Sequence, residues 1–157
     1  MSLVSPTTRS TGDLITAAIW NQDVVANVIA LLPGGWIFLV DGGGAVPGTG
    51  IQPGVVEVPY GCDLVSVRLF SDASGTIEID IWDDVYANYP PTSADSIVGV
   101  SGTMPILSSA TKYQDTAFTN WTSTSFSAGD VLYFNVETDP APATLTWAAV
   151  SMRVSRS

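Results

Sequence analysis

The stretch Ser71-Asp72-Ala73-Ser74-Gly75-Thr76-Ile77-Glu78-Ile79-Asp80-Ile81-Trp82 decides the fold class. Ile77, Ile79 and Ile81 alternate with Glu78 and Asp80, so the isoleucines face one way and the acids the other. That period of two predicts a half-buried antiparallel strand with a solvated outer face. The small and polar run 71–75 predicts the turn that leads into it.

Working outward, residues 64–70, 55–58 and 36–40 read as further strands upstream, and 116–121, 131–136 and 144–154 downstream. Turn signals separate them: Asp41-Gly42-Gly43-Gly44, Ala128-Gly129-Asp130 and the run 139–142. Residues 86–109 read as loop-rich, and Pro90-Pro91 imposes an extended conformation there. About seven or eight short strands without helical period between them predict a mainly β fold, an antiparallel β-sandwich or jelly roll. There is no internal repeat.

The front of the chain reads differently. Residues 1–12 are rich in Ser, Thr and Pro and suggest an extended arm. Thr16 is placed as an N-cap before Ala17-Ala18-Ile19-Trp20, and one α-helix is expected to run to about Leu32. Trp20, Val24, Val28 and Leu31 form one apolar stripe, with Val25, Ile29 and Leu32 beside it. A face this wide exceeds what one sheet contact needs. Either the helix lies across the end of its own β-domain, or it packs against copies of itself in a small oligomer. Pro33-Gly34-Gly35 is expected to end it. The expected organisation is therefore 1–35 as arm and oligomerisation helix and 36–157 as the β-sandwich.

Composition narrows the function. Of 157 residues, 46% are apolar and 13% charged, and fifteen acids against five bases give a net charge of −10. That charged share is about half the usual one, so the surface is one a partner could cover. Five scattered bases cannot build a nucleic-acid or anionic-membrane face. The apolar run 28–40 is interrupted by proline and glycine and is too short to span a bilayer. No secretory leader is read in the first residues. The single cysteine, Cys62, is expected to be a small buried hydrophobe rather than a reactive thiol.

The chain has no histidine, which removes the usual general base and most transition-metal sites. Asp80, Asp83 and Asp84 around Trp82 are weak calcium candidates, but their spacing is not that of an EF-hand and solvated acids are expected. The run Gly42-Gly43-Gly44 lacks the Lys-Ser/Thr of a P-loop and reads as a turn. Aromatics usually fill cores. The loop Tyr86-Ala87-Asn88-Tyr89-Pro90-Pro91 is the best exposed ligand candidate, with Tyr86, Asn88 and Tyr89 able to meet a sugar ring. No catalytic residue and no cofactor is assigned, and an enzyme is not expected.

Several blocks resemble proteins of the tailed-bacteriophage virion. They are Asp80-Ile81-Trp82-Asp83-Asp84-Val85-Tyr86-Ala87-Asn88-Tyr89-Pro90-Pro91-Thr92, Leu107-Ser108-Ser109-Ala110-Thr111-Lys112 and Ala128-Gly129-Asp130-Val131-Leu132-Tyr133-Phe134-Asn135-Val136. Val40-Asp41-Gly42-Gly43-Gly44 and Val56-Glu57-Val58-Pro59 are similar to the same module, and the run 11–21 resembles a short N-terminal motif of phage structural proteins. Asp83 departs from the pattern, standing where a basic residue is expected. The resemblance implies a structural role without catalytic residues, most specifically a capsid decoration or cement protein. Such a protein would assemble in the host cytoplasm, form a homotrimer and bind the major capsid protein or other virion proteins at the particle surface. A tail, baseplate or fibre module touching host glycans is the alternative.

Overall fold

The computed structural model describes residues 34–157 throughout and, before them, residues 8, 10–12, 14, 16–21 and 24. A four-residue helix, α1, covers Ala17–Trp20. Thr16 caps it in extended conformation, its hydroxyl accepting from the Ile19 amide at 3.4 Å. Trp20 and Val24 are exposed. The rest of the expected helix, with Val28 and Leu31, lies outside the described residues.

Eight strands follow: β1 (Gly34–Asp41), β2 (Gly50–Ile51), β3 (Val56–Glu57), β4 (Cys62–Val85), β5 (Ile106–Asp115), β6 (Ser125–Phe126), β7 (Asp130–Val136) and β8 (Trp147–Arg156). All pairings are antiparallel, in the order β1-β8-β4-β7-β2, with β3 also on β7 and β5 and β6 on β4. The expected mainly β, antiparallel sandwich is what the chain forms. Gly34 and Gly35, placed after the expected helix, pair with Val154 and Arg153 as the first residues of β1; where the helix ends lies outside the described residues. A Cβ on Gly35 would lie 2.4 Å from the Met152 carbonyl, so the missing side chain is what lets the strands close there.

β4 corrects the reading of residues 71–75 as a turn. It runs unbroken for 24 residues. Its first part pairs with β8 through Ser71, and its last part, from Ile79 to Val85, pairs with β7. One strand therefore belongs to both layers of the sandwich. The turn-forming side chains find partners that keep the backbone extended. The Asp72 carboxylate accepts from the Thr146 and Trp147 amides and the Thr146 hydroxyl, which holds its carboxyl below the usual range. The Ser74 hydroxyl donates to the Ser109 carbonyl at 2.8 Å. Register shifts on either side of Gly75 supply the bend.

β5 corrects a second reading. The strand occupies 106–115, and residues 116–121, expected to be extended, turn instead. Asp115 organises that turn by accepting from the Ala117 and Phe118 amides at 2.9 and 3.0 Å and from the Trp121 indole at 3.0 Å.

The core fills the space between the layers. Phe38 of β1 stacks on Phe134 of β7 with centroids 4.2 Å apart. Val40, Val67, Leu69, Val150 and Met152 from one layer and Ile79, Ile81, Leu132 and Val136 from the other are fully buried. Each such side chain contributes about 1.5–3 kcal/mol. Cys62 is among them, buried and free.

Candidate functional site

The acids of β4 sort onto two faces. Glu78, Asp80, Trp82 and Asp84 alternate with Ile77, Ile79, Ile81 and Asp83. Glu78 and Asp80 were expected in water, yet they are 1% and 4% exposed. The cover comes from residues 92–104, a segment that folds back over this face. The Asp80 carboxylate accepts from the Trp82 indole at 2.5 Å and from the Ser96 hydroxyl at 2.6 Å. The Glu78 carboxylate accepts from the Ser101 hydroxyl at 3.0 Å and from the Gly102 amide. Main-chain bonds from Ile97 N–H to the Ile81 carbonyl and from Ile79 N–H to the Pro105 carbonyl close the cover. These carboxylates act as fasteners for a returning loop, and charge-assisted bonds compensate for their burial.

The pleat separates the calcium candidates. Asp83 points to the core side of β4, opposite Asp80 and Asp84, so the three are not brought together as a ligand set. Both Asp80 oxygens already accept bonds, and Asp84 Oδ1 accepts from the Val85 amide and the Asn88 side chain. Among the described residues, no group of three or more potential ligands could hold a metal ion.

Asp83 is the most perturbed group at this end of the sandwich. Its Oδ1 is buried without a hydrogen-bond partner. Burial, then the negative charges of Asp130, Asp84 and Asp95, push its carboxyl up to about 7. Burial and the neighbouring Asp63, Asp130 and Asp83 likewise push the Cys62 thiol up to about 11. A thiol held so firmly protonated is no nucleophile at neutral pH. The sequence reading of Asp83 is a solvated acid or weak metal ligand, and a departure from the virion pattern, not a buried carboxyl. Its place in the isoleucine register, on the core side, was the signal for its burial.

Beyond Asp83 the chain forms a short 3-10 turn, Tyr86–Asn88, and the Tyr89-Pro90 peptide is cis. Tyr86 is 76% exposed. Asn88 is tied back to Asp84 at 3.0 Å, and the Tyr133 hydroxyl donates to that of Tyr89 at 2.7 Å. The three residues of the candidate ligand loop thus do not present one platform: Tyr86 points free, while Asn88 and Tyr89 are engaged by the fold. A second 3-10 turn, Ser93–Asp95, is closed by a capping box between Thr92 and Asp95.

No family model matches the chain, and no curated protein matches it. Among solved structures, a chain described as cyanophage Pam1 capsid asymmetric unit is similar at 18% identity and a TM-score of 0.36, with 98% of this chain and 100% of that chain covered. A likeness of that degree transfers neither fold nor function. No described helix is long and apolar enough to cross a membrane.

Proposed function

We propose that the chain is a non-enzymatic structural protein of the tailed-phage virion, specifically a capsid decoration protein that binds the outer head surface and stabilises the shell. The observation that carries this reading is where the resembling blocks fall. The block 80–92 is the end of β4 with its 3-10 turn. The block 128–136 contains β7, which pairs with it from Ile79↔Val136 to Val85↔Asp130. The block 107–112 lies in β5, which pairs with the middle of β4 at Gly75↔Ala110 and Ile77↔Leu107. Residues far apart in sequence thus form one contiguous body, as a shared module would.

In this reading the sandwich is a rigid knob, and binding energy rather than turnover resists shell expansion. The stripe of Trp20, Val24, Val28 and Leu31 is proposed to join copies as a homotrimer, and the arm 1–12 to extend over neighbouring capsid subunits. Co-sedimentation of the purified chain with empty capsids tests the proposal. The chain is expected to pellet with the shells and to raise their melting temperature; a chain that stays in the supernatant at micromolar concentration overturns it.

A further inference from the structure

The outward face of β1, β8, β4 and β5 differs in character from the rest of this acidic chain. Register places Ile37, Ser151, Arg68 and Gln114 in one row and Leu39, Ala149, Phe70 and Lys112 in the next. Gly35, Arg153 and Ser66 form a third. Ile37, Leu39 and Phe70 are 73%, 52% and 41% exposed. Arg68, Lys112 and Arg153, three of the chain's five bases, share this face with them. The Arg68 guanidinium is held in place by a 2.9 Å bond to the Gln114 side chain. Beside it lies a shallow pocket of about 390 Å³ lined by Arg68, Phe70, Lys112, Tyr113 and Gln114. Acids also stand on this face: Asp41 and Asp72 in the row beyond Leu39 and Phe70, and Asp63 beyond Arg153, with Asp72 already bound to Thr146 and Asp63 to Ser125.

The same molecule carries the complementary chemistry elsewhere. Where β4 ends, Val85 and Tyr86 are 48% and 76% exposed and stand next to Asp84, with Asp95 close enough to raise the Asp83 carboxyl. We propose that this acidic, aromatic end of one copy docks on the basic, apolar sheet face of a second copy. Tyr86 enters the pocket between Arg68 and Lys112, and Asp84 and Asp95 meet those bases. The ring gains cation–π contact there, and the apolar centre is enclosed by charged pairs at its rim. The pocket itself is lined by the bases Arg68 and Lys112 and by no acid, so the acidic end of a second copy is the occupant its charge matches. A directional contact between identical chains builds a ring or an open array.

This surface is distinct from the helical stripe, and the inference does not rest on the virion reading. Sedimentation velocity of the full chain over a concentration series tests it at one moderate ionic strength. Wild type is expected to show concentration-dependent association. Arg68→Glu with Lys112→Glu, Asp84→Lys alone, and Tyr86→Ala alone are each expected to weaken it by about tenfold or more. The chain combining Arg68→Glu, Lys112→Glu and Asp84→Lys is expected to recover association. It is more acidic than the Asp84→Lys chain, so its recovery over that chain cannot come from net charge. A wild-type mass that does not rise with concentration overturns the proposal. So does association unchanged by the reversals, or a combined variant that does not recover.

Discussion

Asp83 carries a testable consequence for stability. Its carboxyl is raised to about 7 in the folded chain, above the range of an unfolded aspartate. The folded state therefore binds this proton more tightly than the unfolded state does. The associated stability is complete below about pH 4 and is lost as pH rises through 7. Asp83→Asn, which cannot ionise, is expected to melt a few degrees higher than wild type at pH 8 and no higher at pH 4. With partial solvent screening the gain is about 1 kcal/mol. Thermal melts across pH decide it, and equal differences at both pH values would remove the buried charge as the cause. Glu78 makes the opposite case. Glu78→Ala strips the Gly102 amide and Ser101 hydroxyl of their acceptor and leaves a void, at a cost of about 2–4 kcal/mol in urea titration. The alternation of 77–81 made the strand legible, but not the fate of its acids. A carboxylate opposite isoleucines reads as wet. Only the return of residues 96–102, about twenty positions downstream, buries it.

Among the elements, β4 shows where local reading ends. The segments 64–70 and 77–81 were each legible as strands from apolar alternation. The link between them carries Ser71, Asp72, Ser74 and Gly75, the residues of a turn, yet it stays extended because Thr146, Trp147 and Ser109 occupy its polar groups. Those partners are remote in sequence, so turn propensity lost to tertiary hydrogen bonding. The misplacement of β5 has the same origin: Asp115 ends a strand and nucleates a turn through three bonds that alternation does not reveal. Gly75, the one glycine of β4, is closely packed. A Cβ there would lie 2.5 Å from Leu145 Cδ1 and 2.6 Å from the Ala141 carbonyl. Gly75→Ala is expected to cost about 1–3 kcal/mol through this overpacking. The substitution should lower the denaturation midpoint while leaving the slope of the transition unchanged.

At the scale of the molecule, the fold class was readable because turn residues punctuate nearly every strand pair. The location of the candidate surfaces was not. No linear run of sequence displays Arg68, Lys112 and Arg153 together; three strands in register do. The helical stripe has a prediction of its own: Val24→Asp with Val28→Asp is expected to lower the mass in light scattering at concentrations too dilute for the sheet-face contact, and an unchanged mass there would deny the stripe that role. The passage of β4 through both layers has a mechanical consequence. In most sandwiches the two layers are joined by loops and can be peeled apart once side-chain contacts yield. Here a pull between the layers travels along one covalent backbone flanked on both halves by ladders of hydrogen bonds. Stretching by optical tweezers should therefore give one rupture with no half-opened intermediate, so that the knob fails as a unit or not at all.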